Sequence, residues 1–404
     1  MQGKNQGSNL GSNLGSNQGL NSAFTQGALE SIAAWLQLDY TPTLTLEATR
    51  AWLGVLGSAQ AVVQASAHTL ATLSNEAAAT ALKAPTPEQA AKRQGFIDAA
   101  LAWLAAPGYA GTRHILTWDH PAYPVHLLTI ADPPLVLFVQ GNPAALNQPA
   151  VGIVGARNAT TQGIANARMF AQALAEQDVT VVSGMALGID AAAHEGALNA
   201  VNKPFATVAV VGTGIDRVYP AAHRELAHRI AAQGAVVSEF AIGTPPLPHH
   251  FPRRNRLISG LSRGVLVVEA ALRSGSLITA RVAGEQGREV LAIPGSIHAP
   301  LSKGCHQLIK QGAKLVESAQ DVVEELRLTT FDSGAAPAKK TKYAPAVIET
   351  DAVLAAMGFE PMDVDTLAAA TGLPASELLP RLTELELLGQ LEAIDGGRFQ
   401  RIVR

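Results

Sequence analysis

Three textures follow one another along the chain. From Ala28 to about Ala106, apolar residues recur at helical spacing, as in ALESIAAWLQL and AQAVVQASAHTLATL. That periodicity predicts a small helical domain. Beyond Pro134 the pattern changes to short uninterrupted apolar runs: LVLFVQG, AVGIVGA, VTVVSGM, ATVAVVGTG, AVVSEF, GVLVVEA and EVLAIPG. Each run is followed by a glycine-rich turn and a helical stretch such as IANARMFAQALAEQ or AAHRELAHRIAAQ. Unbroken Val/Ile/Leu runs fit strands buried on both faces, and their alternation with helices gives repeated βαβ units. The expected fold class is therefore α/β, a doubly wound, Rossmann-like and mostly parallel sheet. The third texture, residues 349–404, predicts three short helices and a terminal hairpin around Asp395–Gly396–Gly397, which resembles a winged helix.

These textures divide the chain into five segments. Residues 1–23 are a Gly/Ser/Asn tail in which GSNL at Gly7–Leu10 is repeated at Gly11–Leu14, a composition that buries nothing and is expected to be disordered. Residues 24–110 are the helical (SAM/helix-hairpin-helix-like) domain. Residues 111–328 are the Rossmann-like domain, entered through a connector from Gly111 to Pro134 rich in Pro, His and aromatics. Residues 329–348 read as an Ala/Pro/Lys linker, and 349–404 as the winged helix.

Composition narrows the function classes. A 48% hydrophobic, 16% charged chain of 404 residues can bury a sizeable core. Its formal net charge of −3 requires any nucleic-acid site to be a local patch. Cys305 is the single cysteine, which excludes an internal disulfide framework or a cysteine-rich zinc site and fits a cytoplasmic location. No apolar run is long enough to span a membrane, and the start MQGKNQGSNLGSNLGSNQGL has no apolar core of a secretory signal.

In open α/β sheets, ligands bind beyond the carboxyl ends of the strands. Those ends here carry Gly155, Gly184, Gly212–Thr213–Gly214, Glu239, Glu269 and Gly295. Glycine there either lets backbone approach a ligand or simply turns the chain. Gly155-Ala156-Arg157 and Ser274-Gly275-Ser276 each lead into a helix, whose free N–H groups suit phosphate. GxGxxG and GxxxxGK[ST] are both absent, so neither a dinucleotide cofactor nor ATP hydrolysis is expected. Between two strands lies HHFPRRNRLISG, with Arg253, Arg254 and Arg256 at a helix start. Positive charge is unfavourable at that end of a helix, so either the arginines have an anionic partner or they form a solvated helix start. Phe251 beside them either stacks a base or packs in the core.

Enzyme-like groupings are thin. Ser183, Asp190 and His194 are near in sequence, but a triad is defined by geometry. His249–His250 has no second ligand pair at metal-site spacing. Glu239 and Glu269 suit hydrogen bonding to loop N–H groups or pairing with the arginines. The third helix of the winged-helix segment, ASELLPRLTELELLGQ, sets Glu377, Glu384 and Glu386 against Arg381 alone, which opposes phosphate contact. No catalytic residue, metal or cofactor is expected.

In order along the chain, VGIVGARNATTQG, VVSGMALGIDAAAHEGAL, VAVVGTGIDRVYP, SEFAIGTPP, FPRRNRLISGLS, VLVVEAALRSGSLITARVAGEQGREVLAIPG and the SxGCHQLIKQGA segment resemble the DNA-processing protein A (DprA/Smf) family, from about Tyr123 to Ala313. The resemblance implies a cytosolic protein that binds and protects incoming single-stranded DNA, loads RecA recombinase in natural transformation, and forms a homodimer without being an enzyme. It places DNA contacts at Arg157, Phe251, Arg253, Asn255 and Arg256. Together with the strand ends and loops above, the expected nucleic-acid site is Gly155, Arg157, Ser183, Gly184, Phe251, Arg253, Arg254, Asn255, Arg256, Ser274, Gly275 and Ser276. Ala156 stands where the family has serine, Leu187 where arginine is common, and His306 where asparagine is. The rival reading is a Rossmann-like nucleotide phosphoribohydrolase, which needs a PGGxGTxxE loop where this chain has IPGSIHAPLSKG. A third is a protein-interaction scaffold. For the dimer, Leu301, Leu308 and Ile309 are the apolar candidates.

Overall fold

The computed structural model describes residues 25–328, 351–357, 361–394 and 396–402. The expected tail at 1–23 and the linker at 329–348 lie outside them. The chain opens with helices α1 (Gln26–Asp39), α2 (Leu46–Leu56), α3 (Ala59–Gln64), α4 (Ala67–Leu73), α5 (Glu76–Lys83) and α6 (Pro87–Ala105). Each begins at a Ser, Thr or Asn cap whose side chain accepts an N–H of the first turn. Trp35, Trp52, Leu70 and Leu82 are buried among them, and the Trp52 indole donates to the Leu70 carbonyl at 3.0 Å. With Arg113–Trp118 and Pro134–Leu137, these helices form one compact unit.

A nine-stranded central sheet follows along the chain, most of it in a second compact unit. Its strands are β1 (Arg113–Thr117), β2 (Val136–Gly141), β3 (Ala150–Val154), β4 (Thr180–Ser183), β5 (Thr207–Val210), β6 (Gly234–Ser238), β7 (Gly264–Val267), β8 (Glu289–Ala292) and β9 (Lys314–Leu315). The order is β1-β2-β6-β5-β4-β3-β7-β8-β9. From β6 to β9 every neighbouring pair is parallel, whereas β2 runs antiparallel to β6. The buried-run pattern thus identified β2 as a strand but not its direction. It also missed β1, whose RHILT sits in the stretch read as a connector, because five residues at a sheet edge carry little of the buried-run signal.

Between strands run α7 (Thr161–Glu176), α8 (Ile189–Leu198), α9 (Arg224–Gln233), α10 (His250–Leu261), α11 (Ser276–Glu285) and α12 (Lys303–Lys310), and α13 (Ala319–Glu325) follows β9. Val151, Ile153, Val181, Leu266 and Leu291 share one buried cluster with Phe170 and Leu174 of α7 and Ile189 of α8. The alternate position Gly152 faces α10, where an added Cβ would meet Ser262 at 3.2 Å and Ile258 at 3.3 Å. The carboxyl-terminal segment comprises α14 (Ala352–Met357), β10 (Met362–Asp363), α15 (Val364–Thr371), α16 (Ala375–Leu387), β11 (Leu391–Ile394) and β12 (Arg398–Arg401). Its sheet order is β10-β12-β11, and Leu354, Leu367, Leu378, Leu382 and Leu391 form its core. The molecule is thus a mostly parallel α/β sheet with a helical N-terminus and a C-terminal winged helix.

His194, which stands near Ser183 and Asp190 in sequence, is a fully buried core residue. Its Nδ1 lies 2.7 Å from the Thr207 hydroxyl, which itself donates to the Val181 carbonyl at 2.7 Å. The hydroxyl proton is therefore engaged, so Nδ1 carries the imidazole proton, and Nε2 is buried without a partner among the described residues. Burial, then Arg254, push the imidazole down to about 3. A folded value below the unfolded one makes this contribution complete above about pH 6.5 and lost as pH falls toward 3. Across that window the folding constant is expected to fall by up to about tenfold per pH unit from this group. Denaturation curves of the parent and His194→Leu should differ by a constant amount above pH 7 and converge below pH 6. Curves that stay parallel down to pH 4 would refute the assignment.

Candidate nucleic-acid interface

Strand order reverses at β3. The chain passes from β3 to β4, β5 and β6 on one side, then returns to place β7 and β8 on the other. Loops leaving the carboxyl ends of β3 and β7 therefore diverge, which opens a crevice at the topological switch point. A cleft of about 750 Å³ occupies it. Its walls are the Gly155-Ala156-Arg157-Asn158 loop, Phe251, Arg254 and Asn255 of α10, Arg273, the Ser274–Ser276 entry to α11, and Tyr219. Gly155 is required by packing, since a Cβ there would come within 2.6 Å of Ile189. Glu269 accepts from the Thr160 N–H at 3.0 Å and its hydroxyl at 2.6 Å, and so ties the first loop to the end of β7. Burial raises the Glu269 carboxyl, and the two Thr160 hydrogen bonds oppose this.

The three arginines of α10 separate into different roles. Arg254 is 4% exposed. Its Nη1 donates to the Gly184 carbonyl at 2.5 Å and to the Val210 carbonyl, its Nε donates to Asn255 at 2.9 Å, and Asp190 lies 3.8 Å away. Burial raises the Asp190 carboxyl against the pull of Arg254, and lowers Arg254 to about 10. Arg256 is also mostly enclosed: it binds Glu239 at 2.5 Å and Asp132 at 3.3 Å. Burial raises Glu239, opposed by Arg256 and then Arg253. Arg253 is exposed, 3.4 Å from Glu239, with its guanidinium 5.6 Å from the Phe240 ring centre.

The anionic partners expected at this helix start are thus the protein's own. Arg254 and Arg256 brace the frame of the site through internal partners. Ser183, named with them from the sequence, is fully buried and donates to the Ile153 carbonyl at 2.6 Å. Gly184 is needed because a Cβ would collide with the Arg254 guanidinium.

What faces the cleft is a smaller set. Half-buried Phe251 lies with the Arg157 guanidinium 5.4 Å from its ring centre, Arg254 at 6.0 Å, and the Tyr219 ring centre at 5.7 Å. Gly212 leaves room for this ring, whose Cδ1 would meet a Cβ at 3.2 Å. Arg157 and Arg273 are exposed and form no ion pair among the described residues. The Ser274 and Ser276 hydroxyls hydrogen-bond each other at 2.7 Å beside Gly275 at the start of α11. Arg273 and Tyr219 escaped the sequence reading, although Arg273 directly precedes the Ser-Gly-Ser loop. His250 stacks on Phe240 at 4.2 Å, and no cluster of metal-binding side chains is found among the described residues.

Arg256→Ala removes the closest partner of buried Glu239 and is expected to cost on the order of 3–5 kcal/mol of stability. Glu239→Gln added to it should restore part of that loss, because the stranded charge is gone. Chemical denaturation of the single and double variants reads both, and a single variant as stable as the parent would show that the pair is not a strut.

Residues 114–327 match the family described as DNA recombination-mediator protein A, and residues 337–397 match the DprA winged helix domain. Protein Smf of Escherichia coli is 44% identical over 306 residues, covering 74% of this chain and 80% of that protein. The DNA processing protein DprA of Streptococcus pneumoniae is 50% identical over 203 residues, covering 50% and 71%. The X-ray structure of that species' DNA processing protein A matches with a TM-score of 0.59 at 38% identity, covering 72% of this chain and 97% of the other. With so much of both chains shared, this protein belongs to the DNA recombination-mediator protein A (DprA/Smf) family.

Proposed function

We propose that the switch-point cleft binds single-stranded DNA, and that the protein is a non-enzymatic mediator that protects incoming strands and delivers them to RecA recombinase in natural transformation, in the cytoplasm. The observation that carries this reading is Phe251, half-buried in the cleft wall with the guanidiniums of Arg157 and Arg254 within 6.0 Å of its ring centre and Tyr219 beside it. A ring held in this way suits an unpaired base, and the exposed Arg157 and Arg273 suit the flanking phosphates. A duplex keeps its bases stacked inside and offers nothing to such a platform. Gly155, Asn255 and the Ser274-Gly275-Ser276 turn line the same space, and Arg253 lies exposed on α10, whose first residues reach the cleft. The recombination-mediator description of the family supports RecA as the partner. The winged helix is assigned no DNA contact here. Its α16 carries Glu377, Glu384 and Glu386, while Arg381 is held by Asp351 and by Glu384 at 2.5 Å.

Affinity for an unstructured strand is expected to fall with salt, with a slope of roughly −0.7 per phosphate contact. Arg157→Ala and Arg273→Ala should each weaken all sequences about equally and flatten the slope by about one contact. Phe251→Ala should cost about 1–3 kcal/mol with the slope unchanged, since stacking releases few ions. Equal affinity for a duplex of the same length, or three variants that bind like the parent, would sink the reading. Binding of free nucleotide in preference to a strand would favour the hydrolase reading instead.

A homodimer belongs to the same proposal. Leu308 is buried and Leu301 half-buried, but Leu272, Ile297 and Leu315 are exposed, and a groove of about 560 Å³ runs between α11 and α12. Sedimentation at micromolar concentration should show a dimer, and Leu272→Asp with Leu315→Asp should shift it to monomer. A parent that sediments as a monomer refutes it.

A further inference from the structure

The amino edge of the sheet, at the far ends of the strands from the cleft, carries a second group of cations. Gly264 of β7 pairs in register with Glu289 of β8. Arg263 and Arg288 are the residues just before that pair, so they enter neighbouring parallel strands side by side, at a spacing of about 4.8 Å. Like charges in that position repel. No ion pair relieves them: neither arginine, nor adjacent Glu289, has a salt-bridge partner among the described residues. Arg288 Nη2 reaches the His126 carbonyl at 3.4 Å and the Thr129 hydroxyl at 3.3 Å, while its Nε is buried with no partner. Burial, then Arg263 and Arg288, push the His126 imidazole down. Burial, then Arg263, also lower Arg288. Three basic groups therefore crowd one edge. This differs from α10, where Glu239 and Asp190 answer each arginine.

α10 connects the two ends of the sheet. Its amino end presents Phe251 and Arg253 at the cleft, and its last residue, Leu261, leads through Ser262 into Arg263. Twelve helical residues span about 18 Å. That is the length of about five nucleotides stacked at ~3.4 Å each. The carboxyl half of α10, from Leu257 to Leu261, is buried, so the helix sets the distance between the two ends and is not itself the surface a strand would follow.

We propose that Arg263 and Arg288, with His126, form a second phosphate-binding subsite that takes the backbone of the same single strand once it extends beyond the cleft to the amino edge. The inference rests on the reading of the cleft as a single-strand site. A strand long enough to reach the amino edge gains phosphate contacts there, and a strand confined to the cleft does not. The subsite adds affinity and footprint without reading sequence, because a phosphate is the same at every nucleotide.

The test is a length series of oligothymidylate strands, from about four to about twenty-four nucleotides, titrated against the full-length parent, Arg263→Gln, Arg263→Glu and Phe251→Ala. Arg263 is exposed, so its variants should melt like the parent. For the shortest strands both Arg263 variants should match the parent. Beyond the length that reaches the amino edge, Arg263→Gln should bind several-fold more weakly with a salt slope shallower by about 0.7, and Arg263→Glu more weakly still. Phe251→Ala should lower affinity at every length. Arg263 variants that equal the parent at all lengths overturn the proposal. So does a constant deficit that includes the shortest strands, which would mark a general field effect. If Phe251→Ala is silent while Arg263→Gln weakens binding, the cleft reading fails and a path leading on from the cleft fails with it. Inorganic phosphate that competes equally with long and short strands would mark a free-anion site and also count against it.

Discussion

A guanidinium buried at the carboxyl edge of the sheet sets most of what surrounds it. Arg254 cannot be left in a dry interior without acceptors, since an uncompensated buried charge costs several kcal/mol. It finds them in the strand-end carbonyls Gly184 and Val210, in the Asn255 side chain and in Asp190. Each acceptor carries its own condition. Position 184 must lack a Cβ, because one would fall on the guanidinium. Asp190 must sit in the first turn of α8, and a hydrogen bond from the Ala186 N–H at 3.4 Å helps hold it there. α10 must then start where it does, which places Phe251 over Gly212 and beside Arg157. The platform that faces the cleft is thus a consequence of how one interior charge is satisfied.

The same logic separates the arginines that frame the site from those that face solvent. Arg254 and Arg256 carry carboxylate partners and little exposed surface. Arg157 and Arg273 are exposed and unpaired among the described residues. Removing a frame residue therefore reads out as stability before it reads out as binding, whereas the exposed pair acts on the ligand's charge alone. A loss of binding at Arg254 or Arg256 says nothing about phosphate contact unless the protein's stability is measured beside it.

How much of this the sequence carried depends on the range of the interaction. Unbroken apolar runs marked the interior strands, because burial on both faces leaves no polar alternation to blur the signal. The edge strand β1 was hidden in a segment of mixed character, and the antiparallel direction of β2 leaves no mark on a strand's own composition. The cleft was legible as Gly155-Ala156-Arg157, Ser274-Gly275-Ser276 and FPRRNR, since small residues and cations cluster at strand ends. The fate of the individual arginines was not legible. It is decided by Glu239, Asp190 and Asp132, which lie on other elements and meet α10 only once the sheet is assembled. The helix-dipole argument left three arginines at a helix start with either an anionic partner or a solvated face. It could not say that the partners were internal.

On the proposed reading of the cleft, magnitudes decide which force would hold a strand there. Two exposed arginines at the cleft give a salt slope of only about −1.4. A fourfold rise in salt would then weaken binding by about sevenfold. A protein with six to ten phosphate contacts loses roughly a thousandfold or more over the same interval. One stacked base at about 1–3 kcal/mol is worth between about fivefold and a hundredfold, and salt barely touches it. At physiological ionic strength the ring of Phe251 therefore outweighs either single cation. Lasting capture of a strand must come from linking several such modest contacts on one strand rather than from a strongly charged groove. A chain whose formal net charge is −3 is built consistently with that choice. Arg254 and Arg256 are paired within the fold, whereas Arg157 and Arg273 are left open beside the cleft, where on the proposed reading a single strand with an unstacked base could use them and a closed duplex could not.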